Sequence, residues 1–222
     1  MATVEPEKAK AKCLLEPVNF HNPVEFDELH RQRVICGWYL EPAILEKWRE
    51  MADEQTKSMF WILPPRLAGT TPSPARFVGH IAFQSISNSD TPESELDLAN
   101  PDKSVLMVSN FFILPEYRSG GLGRAAMEAL EVMARIEPYG SPKCKALTLH
   151  TPSRRYVEDD GEEWRCVRER LVQELPPKGR SVEDWYTRMG YVKWKEEPKY
   201  PETLADGTEV IIIASFLKKE FS

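Results

Sequence analysis

The sequence predicts an α/β (α+β) fold in a single domain. Three observations carry that expectation: the hydrophobic period switches several times between helical and strand spacing; an apolar strand runs through a glycine-rich turn straight into an alanine-rich helix; and two long strand-like segments close the chain around a tight turn. Read in order, the elements are β, α, α, β, β, β, α, β, α, α, β, β.

Residues 1–11 are small and charged and read as a tail. The domain then spans 12–222. "CLLEPVNF" is a short strand. Asn22 caps a helix with Pro23 at its first position, and Phe26, Leu29, Val34 and Trp38 suggest its apolar face. Pro42 opens a second helix whose buried side is Ile44, Leu45, Trp48 and Met51. "MFWILPP" and "ARFVGHIAFQSIS" are strands joined by the Pro/Gly/Thr-rich "RLAGTTPSP". The acidic "NSDTPESELDLANPDKS" is a surface loop, and "VLMVSNFFIL" a long apolar strand. The helix Gly123–Arg135 follows, then the strand "KALTLHT". An insertion at about 152–180 contains a helix in "EEWRCVRERLVQEL". Ser181, with Asp184 three residues on, starts a last helix that ends at Gly190. "YVKWKEEPKY" and "TEVIIIASFLKKEF" form a hairpin around "LADG".

Size and composition exclude several classes. A chain of 222 residues with 41% hydrophobic residues buries one good core. A net charge of -6 opposes nucleic-acid binding, which needs a basic face. No run approaches the ~20 apolar residues of a membrane span, and no signal peptide opens the chain. The four cysteines, Cys13, Cys36, Cys144 and Cys166, form no CxxC pair, and the four histidines lack ligand spacing. Reduced thiols, no metal and a cytoplasmic location, with the nucleus also open, are expected. Self-association as a homodimer stays open.

The glycine turn carries the chemistry. Arg118, Ser119, Gly120, Gly121, Leu122 and Gly123 lie where a helix begins. The first amides of a helix have no helical partners and its dipole is positive there. Glycines let a phosphate approach several amides at once, and Arg118 adds a forked cation. The turn reads as a pyrophosphate cradle, or as a turn needed only for packing. It lacks the Gly-Lys-Ser/Thr ending of a P-loop and the first glycine of a dinucleotide fingerprint.

The string "ILPEYRSGGLGRAAMEAL" resembles the signature of the GNAT superfamily of acyl-CoA N-acyltransferases, with Arg118, Gly121 and Gly123 on its defining positions. Downstream, "WYTRMGY" is similar to a second family landmark, with Tyr186, Gly190 and Tyr191 in place. The element order agrees. The resemblance implies a single mixed, mostly antiparallel central sheet, splayed at the acyl-CoA site and flanked by helices. It implies acetyl-CoA as acyl donor, its pantetheine arm on backbone groups of Phe111, Phe112 and Ile113, and its pyrophosphate on the amides of Arg118 to Gly123. It implies Tyr186 as the acid that protonates the leaving thiolate.

The sequence departs from the family at two places. Members often carry a Glu on the strand before the turn, but "SVLMVSNFF" has none; Ser109 and Asn110 hold a water better than they take a proton. His150 is the replacement base candidate, since an imidazole titrates near neutral pH, and His80 a weaker one. The Asn often found seven residues before the Tyr is Gly179 here. The insertion is a candidate lid or pocket wall, "SRR" and "KGR" are candidate contacts to CoA phosphates, and the acidic loop is a candidate attractor for a cationic amine; each also reads as solvated surface. The expected function is an N-acetyltransferase acting on a small-molecule primary amine through a ternary complex. The alternatives are a protein lysine or N-terminal acetyltransferase and a non-catalytic CoA-binding domain.

Overall fold

The structure, a computed structural model, describes residues 13–64, 76–86, 97–118, 120–171 and 175–221. The expected tail, the 66–74 joint, most of the acidic loop and Ser119 lie outside the described residues. The chain divides into two compact units, Met1–Cys144 and Lys145–Ser222.

The first unit contains β1 (Leu14–Pro17), α1 (Pro23–Cys36), α2 (Pro42–Asp53), β2 (Lys57–Leu63), β3 (Gly79–Gln84), β4 (Val105–Ile113), a single 3₁₀ turn (Pro115–Tyr117) and α3 (Leu122–Met133). The strands β1 to β4 pair antiparallel in sequence order. Strand alternation sends Met59, Trp61 and Leu63 to one face, where they form a core with Leu29 of α1 and with Leu45 and Trp48 of α2. Phe60 and Phe83 point the other way, and the Phe60 ring packs against those of Phe83 and Tyr139. Because both faces are covered, β2 and β3 read as near-continuous apolar runs.

The helix starts follow the sequence. The Asn22 side chain accepts from the Val24 N–H at 3.0 Å, with Pro23 following in the first turn. Pro42 opens α2 without a side-chain cap. The apolar face expected of α1 is only partly right. Leu29 is buried, but Val34 is 54% exposed, and the other buried positions are Glu28, Gln32 and Arg33. That polar face has partners that only the fold supplies. Gln32 Nε2 donates to Glu28 Oε1 at 2.8 Å and to the Phe77 carbonyl at 2.9 Å, while Gln32 Oε1 pairs with His80 Nδ1 at 2.9 Å. Buried polar groups persist only when satisfied in this way.

The second unit contains β5 (Ala146–Pro152), α4 (Arg155–Glu158), α5 (Glu162–Arg168), α6 (Val182–Thr187), β6 (Val192–Thr203) and β7 (Glu209–Glu220). β7 pairs antiparallel with both β5 and β6. Gly207 takes φ +83° in the expected hairpin turn, and the Leu204 N–H donates to the Thr208 carbonyl at 2.9 Å. Pro198 and Pro201 sit in β6, which has one partner within this unit, where a missing N–H is tolerated.

The insertion departs from the single long helix expected. It forms two short helices, and α5 ends at Arg168. Just beyond, the Arg170 carbonyl accepts from the Ala205 N–H at 2.8 Å, and the Arg170 guanidinium pairs with Asp206 at 3.1 Å. The hairpin turn thus takes the carbonyl that a longer helix would use internally. Tyr156, Trp164 and Ile212 make a small core, and the Tyr156 hydroxyl accepts from the Ile213 N–H at 3.0 Å. The insertion is therefore docked on the closing hairpin.

Gly79 pairs with Ile113, and a Cβ added there would lie 2.3 Å from the Phe112 carbonyl oxygen. Backbone cannot move aside as a flexible side chain can. Gly79→Ala is expected to lower stability by about 1–3 kcal/mol, the usual cost of overpacking, read as a shift in the urea unfolding midpoint.

Candidate functional site

The first part of the site is the end of β4 and the turn after it. Opposite β3, Ser109 pairs with Ala82 and Phe112 with His80. Asn110 and Phe111 therefore both lie across from Ile81, a β-bulge. Asn110 takes φ +51°, the left-handed region that Asn tolerates better than most residues. The bulge re-aims the backbone of Phe111 to Ile113, the segment to which the resemblance assigns pantetheine. The rings of Phe112 and the side chain of Ile113 are buried, while Phe111 is half-buried.

After the 3₁₀ turn, Gly121 takes φ +78° and acts as the N-cap of α3. A Cβ at Gly120 or Gly121 would meet nothing within 4 Å, so packing is not what demands glycine here. At Gly121 the demand is the left-handed conformation; at Gly120 it is approach by something outside the chain, or nothing. The Ala125 N–H donates to the Gly121 carbonyl at 3.1 Å, which leaves the amides of Leu122, Gly123 and Arg124 at the open end of the helix. Ala125, Ala126, Met127 and Leu130 bury the helix's inner face, which holds this end in place. Arg118 is exposed, but its Nε donates to the Ile113 carbonyl at 2.9 Å and its guanidinium lies 5.5 Å from the Phe112 ring centre. The turn's cation is thus tied back to the end of the bulged strand. Ser119 lies outside the described residues.

Beneath the bulge is a polar cluster that no sequence motif announces. Lys57, at the start of β2, is 3% exposed. Its Nζ donates to Gln84 Oε1 at 2.8 Å, Ser109 Oγ at 2.9 Å and Asn110 Oδ1 at 2.6 Å. It also lies 5.1 Å from the centre of the Trp48 ring. Burial, reinforced by the Arg33 charge, pushes the Lys57 ammonium down to about 7. Arg33 is itself buried and donates twice to the Trp38 carbonyl. His80, which faces Arg33 Nη1 at 3.2 Å, is held well below its usual range by burial and by the Arg33 and Lys57 charges, so it is neutral.

The second unit holds the other candidates. Tyr186 lies on α6, whose start is the expected capping box: the Ser181 hydroxyl accepts from the Asp184 N–H at 3.0 Å and Asp184 Oδ2 accepts from the Ser181 N–H at 3.2 Å. Gly190, at φ +92°, follows the end of the helix. The Tyr186 ring packs edge-on against Trp185 and Tyr191, and burial pushes its phenol well above the ordinary value. It is a protonated phenol at neutral pH. His150 lies on β5 with its Nδ1 2.6 Å from the Tyr200 hydroxyl. Burial, with the Lys199 charge second, pushes it down to about 3. That makes it a weak proton acceptor near neutrality. Gly179, Arg180, Ser181, Val182, Trp185 and Arg188 line a cavity of about 610 Å³. Arg180 of the "KGR" segment belongs to this cavity, whereas Arg154 and Arg155 of "SRR" are engaged with Glu183 and Asp159. Among the described residues no group of His, Cys, Asp or Glu comes together as a metal site would require.

No protein-family model matches the sequence, and no curated protein matches it. Solved structures do match in three dimensions. Arabidopsis thaliana NAA60 in complex with acetyl-CoA aligns with a TM-score of 0.53 at 11% identity, over 94% of this chain and 98% of that one. Spermidine/spermine N-acetyltransferase SpeG from Vibrio cholerae, in complex with manganese ions, aligns with a TM-score of 0.55 at 11% identity, over 94% of this chain and 92% of that one. A chain of the NatC complex bound to Gag peptide and CoA aligns with a TM-score of 0.51 at 12% identity, over 95% and 99%. A structure described as a GNAT family acetyltransferase from Elizabethkingia anophelis, with acetyl-CoA bound, aligns over 96% and 100% at a TM-score of 0.50.

The chain has the GNAT fold. At 10–12% identity the likeness establishes architecture and not chemistry.

The cradle can be tested directly. Gly121→Asp strains the left-handed N-cap and puts a carboxylate at the open helix end. Acetyl-CoA binding, measured by calorimetry, is expected to fall below detection while the far-UV spectrum and thermal midpoint stay close to wild type.

Proposed function

We propose that this protein is an acyl-CoA-dependent N-acetyltransferase that moves an acetyl group from acetyl-CoA to a primary amine by direct attack in a ternary complex. The observation that carries the reading is the left-handed Gly121 opening α3 one 3₁₀ turn after a bulged β4, in a chain with the GNAT fold. Backbone groups of Phe111, Phe112 and Ile113 take the pantetheine arm, and the amides up to Gly123 take the pyrophosphate, except that of Arg118, which already donates to the Pro115 carbonyl at 3.2 Å. Arg118 can keep its Nε donation to the Ile113 carbonyl while its Nη donors meet the anion, which links anion binding to the strand end.

The chemistry needs a neutral amine, stabilisation of the carbonyl oxygen and a proton for the leaving thiolate. Tyr186 is proposed as that proton source. Burial keeps the phenol protonated but also makes it a weaker acid, so the support for the role is the position of Tyr186 in the resembling motif. Tyr186→Phe keeps the ring that packs on Trp185 and Tyr191. It is expected to lower kcat by roughly 10²–10⁴-fold, the usual cost of losing a general acid, with little change in acetyl-CoA affinity. Equal losses in both would assign the residue to packing.

For the acceptor we propose a small primary amine. The support is the insertion, whose described helices dock on the closing hairpin; in the fold the chain resembles, a segment there lies on the acceptor side and narrows the entrance. A polypeptide amine is the second reading, favoured by the likeness to a chain of the NatC complex that is bound to Gag peptide. The deciding measurement is free-thiol release with a panel of polyamines and small aliphatic amines against a panel of N-terminal and lysine-containing peptides. Turnover of the amines alone is expected; turnover of peptides alone would replace the first reading with the second.

A further inference from the structure

Aminolysis of a thioester must remove a proton from the attacking nitrogen. β4 offers no carboxylate for this, and His150 is committed to Tyr200 and held neutral by burial down to about 3. We propose that Lys57, in its neutral form, is the final acceptor of that proton and that Ser109 relays it. This inference rests on the acetyltransferase reading above.

The geometry carries the argument. The three protons of the Lys57 ammonium meet three acceptors at 2.6–2.9 Å: Gln84 Oε1, Ser109 Oγ and Asn110 Oδ1. None of the three is anionic. The charged and titratable groups facing this pocket are Arg33 from α1 and His80 from β3; α2 contributes the ring of Trp48. Cys36 and Tyr39 lie beside Arg33, one step further out. Among the described residues the ammonium therefore has a cation beside it and no counter-ion, which favours its neutral form.

Ser109 makes loss of the proton inexpensive in hydrogen bonds. Amide oxygens only accept, but a hydroxyl both donates and accepts. With Lys57 charged, Ser109 accepts from Nζ and donates to Gln84 Oε1 at 3.2 Å. With Lys57 neutral, its two remaining protons serve Gln84 and Asn110, and the Ser109 hydroxyl turns to donate to the Nζ lone pair. Every polar group keeps a partner in both states. Ser109 is the one ligand of Lys57 that can reverse direction, and it is half-buried, on β4 immediately before the bulge. Gln84 and Asn110 are half-buried as well, so what sets Ser109 apart is this reversal and not its exposure.

The proton account closes. The amine lone pair forms the C–N bond as the C–S bond breaks. The nitrogen passes one proton to Ser109 Oγ, whose own proton moves to Lys57 Nζ. The thiolate takes a proton from Tyr186. After product release Lys57 returns its proton to solvent by the reverse path through Ser109, and Tyr186 is reprotonated. The net change is amine plus acetyl-CoA to amide plus CoA thiol.

The sign of the pH dependence follows. Below about 7, Lys57 is protonated and cannot accept, so kcat falls as the pH drops through that value. The experiment compares wild type, K57R, S109A and S109T, using acetyl-CoA and whichever amine or peptide of the panel the wild type accepts, with kcat read at saturating acceptor from pH 5.5 to 9.5. A lysine-selective carbon label follows the Lys57 side chain by NMR in parallel, assigned by its absence in K57R. The expected result is a wild-type limb and an NMR titration that share a midpoint near 7. K57R, which keeps the cation but cannot lose its proton, is expected to lose the limb and about 10²-fold or more in kcat. S109A is expected to lose a similar factor with unchanged acetyl-CoA affinity, and S109T to regain most of it. Retention of the wild-type pH profile in K57R or S109A, or a Lys57 titration near its ordinary value of about 10.4, would overturn the inference while leaving the transferase reading intact. A wild type that binds acetyl-CoA but acetylates nothing in the panel would overturn the transferase reading, and this inference with it.

Discussion

A lysine and an arginine lie out of water beneath the bulged strand, and among the described residues every hydrogen-bond partner they have is neutral. Lys57 is 3% and Arg33 2% exposed. Carrying a charge into a protein interior is costly unless its hydrogen bonds are met in full. That constraint reaches a long way through the first unit. Arg33 is held by the Trp38 carbonyl just past the end of α1 and borders the ring of Trp48. Lys57 is held by one side chain from β3 and two from β4. Gln32 and His80 complete a chain of contacts to Glu28, whose carboxylate is forked by Arg31 near the surface. Remove the requirement that these groups be satisfied and neither the polar face of α1 nor the left-handed Asn110 has a reason to exist.

The bulge links that cluster to function. An unsupported residue at φ +51° in mid-strand would be under strain. Here the Asn110 side chain is fixed by Lys57 from one side while Phe112 and Ile113 resume pairing with His80 and Gly79 on the other. The close approach of Gly79 to the Phe112 backbone shows how tightly the register is set. The segment proposed for pantetheine therefore owes its neighbouring bulge in part to a lysine more than fifty residues earlier in the chain.

The second unit solves a similar problem with the opposite charge. Glu183, 1% exposed, accepts from the Arg154 N–H at 2.7 Å and the Ser215 hydroxyl at 2.6 Å, and pairs with Lys193 at 3.3 Å. It therefore has both cations and neutral donors. One turn along α6 from it sits Tyr186. A buried carboxylate anchored on β7, the start of β6 and the residue before α4 is what fixes the helix that presents the phenol.

The sequence alone determined whatever depends on near neighbours. The Asn22 cap with Pro23, the Ser181–Asp184 box, the apolar strands, the hairpin at Gly207 and the glycine turn are all set by residues within a few positions of one another, where φ/ψ preference and side-chain reach decide the outcome. The order of these elements and two short strings were enough to point to the GNAT fold. Tertiary structure alone decided the rest. Val34 fits a helical stripe as well as Arg33 does, and only the presence of His80 and the Phe77 carbonyl turns the polar side inward. α5 stops at Arg168 because the Arg170 carbonyl finds the Ala205 amide instead of a helical partner. Lys57 falls in no motif of the sequence, and His150 reads there as a candidate base. Each is redefined by groups tens of residues away, through burial that no local pattern encodes.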